Sequence, residues 1–165
     1  MHLRTARPHE AAQLSDLALR SKGRWGYDAE FLESCRAVLT LTPAELVTRR
    51  AVVAERGDTL LGFYTLSGEA PVAELTHLFI DPPHIGGGVG SALWRHAVDN
   101  AAALGIERMT IDADPFAEPF YLAKGAVRTG ESPSDAIPGR MLPQLTYAPS
   151  RRAQRPSPGL GSVPM

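Results

Sequence analysis

AELTHLFI (residues 73–80), IGGGVG (85–90) and SALWRHAVDNAAAL (91–104) follow one another with only Asp81-Pro82-Pro83-His84 between the first two segments, and this run decides the fold. Residues 73–80 are apolar and β-prone with a period of two, which predicts a strand. Asp81-Pro82-Pro83 ends it, because proline brings no ladder N–H. In 91–104 the period lengthens: Leu93, Ala97, Val98, Ala101 and Leu104 recur at helical spacing, and Gly105 closes that helix as the residue past its end. The loop between holds three consecutive glycines. Glycine lets a backbone approach a ligand closely and frees its N–H groups, and a helix N-terminus near Ser91 adds partial positive charge, so the run favours a phosphate cradle over a merely flexible turn. Two common nucleotide motifs do not fit it. A P-loop needs Lys and then Ser or Thr after its last glycine, whereas Gly90 is followed by Ser91-Ala92. A dinucleotide fingerprint counted from Gly86 puts its third small residue at Ser91 and needs this strand to come first in a parallel unit; a hairpin precedes it instead.

That hairpin is AVVAE (51–55) and LLGFYTL (60–66), joined through Gly57-Asp58. Upstream, Leu3 and Thr5 alternate in a short opening strand, and Pro8 suits a first helical position, with Leu14, Leu17 and Ala18 following at helical spacing. After the break SKGRWGYD, Asp28 caps a second helix carrying Phe31, Leu32, Cys35, Val38 and Leu39 on one face, which favours Cys35 as a core residue over a nucleophile. Thr42-Pro43-Ala44-Glu45 has the capping-box pattern and starts a third. Downstream, RMTID (108–112) reads as a strand, Phe120 and Tyr121 lie in a short helix begun by Glu118-Pro119 and ended by Gly125, and AVRTGE (126–131) and RMLPQLTY (140–147) are the last strands. Pro143 predicts that the final strand is at an edge or bulged. The order is a mixed α/β (α+β) arrangement: a central sheet of about seven strands with flanking helices.

Composition sets the limits. With 165 residues, 44% apolar and 21% charged, the chain has one domain's length and can bury roughly 70% of its unfolded surface, which excludes a disordered or fibrous protein. From Pro149 to Met165 it holds four Pro, three Ser, two Gly and three Arg with no acidic residue, so 149–165 is expected to be a mobile tail behind a domain spanning 1–148. The net charge of -1 becomes -4 without that tail (14 basic, 18 acidic residues), which leaves no nucleic-acid footprint and favours a basic substrate or partner. One cysteine and an N-terminus without a signal-like apolar region predict a cytoplasmic protein; no apolar run has the length of a membrane span.

The segments IGGGVG and DPFAEPFYLAKGA (114–126) resemble two motifs of the GCN5-related N-acetyltransferases (GNAT). The family's loop signature, Gln/Arg-x-x-Gly-x-Gly/Ala, falls on Ile85–Gly90, with LFIDP similar to its fourth strand and exit. Its Asn-x-x-Ala-x-x-Phe-Tyr-x-x-x-Gly-Phe stretch is matched at Ala117, Phe120, Tyr121 and Gly125. The element order from 1 to about 148 is also similar. The resemblance implies a mostly antiparallel sheet, acetyl-coenzyme A as co-substrate without a metal, and transfer of acetyl to a primary amine on a small molecule or peptide. It places the coenzyme on Gly86, Gly87, Gly88, Val89, Gly90 and Ser91, with Asp114, Tyr121 and Lys124 nearby, and lays the pantetheine arm along the backbone of Leu78, Phe79 and Ile80 as an added strand. Two departures matter: Ile85 replaces the usual Gln or Arg, and Asp114 stands where the family has Asn, either as a repulsive carboxylate or as a cap for the short helix.

Chemically, an amine of pKa about 10 must lose a proton and the departing thiolate must gain one. Tyr121 matches the family's acid and is otherwise a core aromatic. Glu74, four residues before Leu78, is the first candidate base. An unbroken period of two puts Glu74, Thr76, Leu78 and Ile80 on one face and His77, the reserve base, on the other; a structural role stays open for both. Trp25, Tyr27 and Phe31 form either an aromatic wall for the amine or a helix contact. The remaining histidines lack ligand spacing, so no metal is expected. A coenzyme-binding regulatory module without turnover is the alternative function, and a homodimer stays open as a macromolecular partner.

Overall fold

The computed structural model describes residues 1–149; the expected tail lies outside them beyond Pro149. Seven strands form one sheet in the order β1-β2-β3-β4-β5-β7-β6: β1 (His2–Thr5), β2 (Val52–Arg56), β3 (Thr59–Ser67), β4 (Val72–Ile80), β5 (Arg108–Asp112), β6 (Val127–Pro133) and β7 (Met141–Tyr147). Every neighbouring pair is antiparallel except β4 and β5. The mixed, mostly antiparallel sheet with flanking helices is thus present.

Helices cover both faces. On one lies α4 (Val89–Ala103), whose Leu93, Ala97, Val98 and Ala101 are wholly buried against Leu61, Tyr64 and Leu66 of β3. Leu104, expected on that stripe, is the C-cap and half out in solvent. The other face is covered by α1 (Ala11–Gly23) and α3 (Pro43–Thr48), which bury Leu14, Leu17 and Leu46 against Val53 and Phe63. Local chemistry starts these helices where the sequence places them. Thr42 and Glu45 form the reciprocal capping box of α3, and the Asp28 carboxylate accepts the Phe31 N–H at the start of α2 (Ala29–Leu39). Pro8 opens a 3₁₀ turn ahead of α1 and is not its first residue. Of the α2 face only Cys35 is buried.

Pro143 departs from expectation. β7 lies inside the sheet and β6 forms the edge, and the irregularity between them sits in β6, between Arg128 and Gly130. A strand residue directs its N and its C=O to the same neighbour, and the Pro143 carbonyl accepts from Ala113 N–H just past the last β5–β7 pair, Asp112 with Gln144. The missing N–H therefore falls at the end of a ladder, where it removes little.

Candidate active site

The parallel pair β4–β5 is joined only from Val72–Glu74 to Arg108–Thr110, although β4 runs on to Ile80 and β5 to Asp112. Past that point the strands splay, and the β5-facing backbone groups of β4 have no strand partner among the described residues. A bulge in β4 accompanies the splay: the adjacent residues Thr65 and Leu66 of β3 stand opposite His77 and Leu75, so Thr76 is the extra residue. The bulge resets the alternation. Ala73 and Leu75 before it and Leu78 and Ile80 after it all pack on the α4 face. Glu74 therefore shares the opposite face with His77 and Phe79, which corrects the unbroken period of two. At Gly62 of β3 any side chain would meet the Phe79 carbonyl at 2.6 Å, so glycine is what lets β4 run this close.

The gap opens into a cavity of about 700 Å3. One end is the glycine loop. Gly88, at φ 84°, is the N-cap of α4, which begins at Val89, two residues earlier than its apolar pattern implied. The N–H groups from Gly86 to Ser91 donate to no acceptor among the described residues, so several donors and a helix N-terminus face the cavity mouth. Val89 contributes only its backbone; its side chain is in the core. Lys124 donates to the Ser91 hydroxyl at 2.6 Å, which brings a cation to the glycine loop that Ile85 does not provide.

Tyr121 sits in α5 (Glu118–Ala123), with Pro119 in the first turn as the sequence implies. Its ring packs edge-on to Trp94 and Phe120 and lines the cavity from the α4 side, while its hydroxyl has no hydrogen-bond partner among the described residues. Burial pushes the phenol well above its ordinary pKa, so it holds its proton. Glu74 lines the cavity from the other face. Burial and then the Asp112 carboxylate push its pKa up; Arg49 pulls the other way, and Asp135 adds a weaker push. His77 does not line the cavity. It is 3% exposed, its Nδ1 bonds the Thr65 hydroxyl at 2.7 Å, and burial lowers its pKa to about 4, which fits a structural histidine.

Asp114 is neither a lone repulsive carboxylate nor the cap of α5, whose N-cap is Ala117. Its Oδ1 accepts the Phe116 N–H at 2.9 Å and closes the turn before the helix. Its Oδ2 accepts from Lys22 at 2.5 Å and from the Tyr27 hydroxyl at 2.9 Å, with Arg140 at 3.6 Å. Burial raises its pKa, but the Lys22 bond and charge, the Phe116 N–H and Tyr27 outweigh that and hold the carboxyl below its ordinary value. Arg140 in turn donates to the Tyr27 oxygen at 2.8 Å. The three aromatics are placed differently. Trp25 lines the cavity and stacks on Phe116, whereas Tyr27 and Phe31 stack on each other at 4.0 Å and back the charged cluster. From α2, Cys35, Val38 and Leu39 roof the cavity, which is why little of that helix face is buried. Among the described residues no group of three or more His, Cys, Asp or Glu is arranged to hold a metal, and no helix is long and apolar enough to cross a membrane.

Lys22 and Arg140 are the site residues that sequence reading missed. Lys22 stands in the polar break before α2, but its contact with Asp114 spans 92 positions and that of Arg140 with Tyr27 spans 113, so no local pattern marks them.

The model of the acetyltransferase (GNAT) domain matches residues 33–136, more than half of the chain. The chain belongs to the GNAT acetyltransferase family. No curated protein matches it in sequence. Among solved structures, a GCN5-related N-acetyltransferase from Rhodopseudomonas palustris aligns with a TM-score of 0.74 at 22% identity, over 89% of this chain and 94% of that one. The PaiA N-acetyltransferase of Thermoplasma acidophilum, in complex with coenzyme A, aligns at 0.69 and 20% identity over 88% and 98%. An aminoglycoside 6'-N-acetyltransferase complexed with coenzyme A aligns at 0.65 and 18% identity over 90% and 97%. At these identities the likeness is one of fold, and it extends over nearly the whole GNAT domain described here.

Proposed function

We propose that this GNAT protein transfers the acetyl group of acetyl-coenzyme A directly to a primary amine. One observation carries the reading: a single cavity joins the unpaired N–H groups of the glycine loop, the unpartnered edge of β4, the Tyr121 hydroxyl and the Glu74 carboxylate. The N–H groups of residues 86–91, with Lys124 beside Ser91, suit a pyrophosphate. The backbone of Leu78, Phe79 and Ile80 suits the amide-bearing pantetheine arm, held as an added strand. Coenzyme-bound neighbours of the same fold support that placement.

The chemistry follows from the two faces of the gap. Glu74 approaches from the α1 side, and its raised pKa suits a base that takes a proton from an ammonium near neutral pH. As the amine nitrogen bonds to the thioester carbonyl carbon, the carbon–sulfur bond breaks, Tyr121 on the α4 side gives the departing thiolate its proton, and the second N–H proton shed by the new amide nitrogen restores the phenol. Glu74 and Tyr121 line the same cavity from opposite faces of the sheet, an arrangement that suits a proton acceptor and a proton donor on either side of a reacting carbon. The experiment is a thiol-release assay with acetyl-coenzyme A across amine classes, alongside thermal melts with the coenzyme, ATP and NAD. Stabilisation by the coenzyme with turnover of an amine is expected. Stabilisation without turnover of any amine would instead support the regulatory module, and a shift with NAD alone would refute both.

A further inference from the structure

The cavity holds a cationic feature that proton transfer to and from the reactants does not use. Lys22, near the end of α1, and Arg140, just before β7, both line it and both reach one carboxylate, Asp114. The cluster thus carries one positive charge in excess. The two side chains are 12% and 20% exposed, a depth at which an uncompensated charge is costly until a counter-charge arrives. Their donors are also in surplus. Arg140 spends only Nη2 on Tyr27 and Asp114, leaving Nε and Nη1 without an acceptor among the described residues. The Lys22 ammonium, with three N–H, has Asp114 as its one hydrogen-bond acceptor among the described residues and lies 5.4 Å from the centre of the Tyr27 ring. The guanidinium is held in place, since its carbon lies 4.9 Å from the centre of the Phe31 ring and 5.4 Å from that of Tyr27, two rings already stacked on each other. A planar fork fixed by packing, with unused donors on a cavity wall, has the form of a carboxylate receptor. Elsewhere the same cavity is lined by Glu74, Asp112 and Asp135, none of which is in an ion pair among the described residues. An acid group would be repelled there and an ammonium attracted.

We propose that the acceptor is an amine that also bears a carboxylate, with the acid group on Arg140 and Lys22 and the nitrogen directed to Glu74. The proposal rests on reading the cavity as an acetyl-transfer site. The two poles fix the orientation: a simple amine lacks the anchor, and a diamine would bring its second ammonium to the cationic pole.

The test compares the common amino acids with their decarboxylated amines as acceptors for the full chain, measured by thiol release. At least one acid is expected to exceed its own amine by about 100-fold in kcat/KM, the size of a charge-assisted contact. Arg140→Gln should raise the KM for that acid by about 10- to 100-fold, erase the preference and leave the KM for acetyl-coenzyme A within about threefold. Arg140→Lys, which keeps the charge and loses the fork, should recover part of the preference, and its melting curve controls for folding. Equal or better turnover of the amines or diamines across the panel overturns the proposal. So does an Arg140→Gln defect confined to the coenzyme KM. A binding arm separates this proposal from the activity on which it rests: calorimetry with coenzyme A present, using each N-acetylated amino acid and its primary amide. Tighter binding of an acid than of its amide, lost in Arg140→Gln, supports the anion site even if no amine is turned over. Absence of any acid–amide discrimination across the panel refutes it.

Discussion

Asp114→Asn probes the charged cluster, because it keeps the side chain's shape while removing its charge and one acceptor. Asparagine can still accept the Phe116 N–H through its oxygen, but the other terminal atom becomes an amide nitrogen, which accepts nothing from Lys22 or Tyr27. Lys22 and Arg140 are then left as two cations without a carboxylate. Exposed ion pairs contribute about 0–1 kcal/mol, whereas removing one partner of a buried pair costs about 3–5 kcal/mol. With Lys22 and Asp114 only 12% and 9% exposed, this pair is nearer the buried limit, and a loss of about 3 kcal/mol is expected. For a chain of this size that lowers Tm by about 6–12 °C. Urea unfolding at pH 7 should show a lower midpoint with an unchanged slope. Adding Lys22→Met to Asp114→Asn should recover a good part of the loss, since it removes one stranded charge, so the two substitutions should be strongly non-additive. The pH dependence has a definite sign. A carboxyl whose folded pKa lies below its unfolded value of about 3.9 contributes stability above that value and loses it as pH falls through the folded one. The parent should lose this increment only in that acid range, and Asp114→Asn should lack it. A loss under about 1 kcal/mol, or strict additivity with Lys22→Met, would show that the cluster is well solvated and the reasoning wrong.

Three other outcomes can be checked. Because His77 titrates near 4 when folded and near 6.5 when unfolded, stability should be full above about pH 6.5 and fall by up to about 3 kcal/mol as pH drops toward 4; in denaturant titrations His77→Gln should flatten that slope, and an unchanged slope would place the proton uptake elsewhere. Tyr121→Phe keeps the ring against Trp94 and removes a hydroxyl that has no partner among the described residues, so melting should hardly change while kcat falls about 10²- to 10⁴-fold and coenzyme affinity stays within a few-fold; parental turnover would make Tyr121 structural. Gly88→Val forces a β-branched side chain to φ 84° at the start of α4 and should abolish the thermal shift with coenzyme A, whereas retained binding would locate the cradle in another loop.

The sequence by itself determined what depends on neighbours along the chain. Its strand and helix periods, the Thr42–Glu45 capping box, the Asp28 cap, and the glycines and Pro119 at element starts each act over a few residues, so the seven strands, the glycine loop ahead of α4 and the position of Tyr121 in α5 could all be read from them. Tertiary structure decided whatever depends on which segments meet. The β4 bulge is a disagreement in register between two strands, invisible in either alone, and it is what moved Glu74 to the face of His77. Pro143 reads as an edge residue until β6 is seen to pass β7 and take the outside position. Asp114 had two local readings, cap or liability, and neither held, because its charge is set by Lys22 and Arg140, brought there by α1 and by the approach to β7. Hydrogen bonding and backbone preference are satisfied within a turn or a few residues and so leave a local pattern, whereas electrostatics and register are settled between residues that only folding brings together.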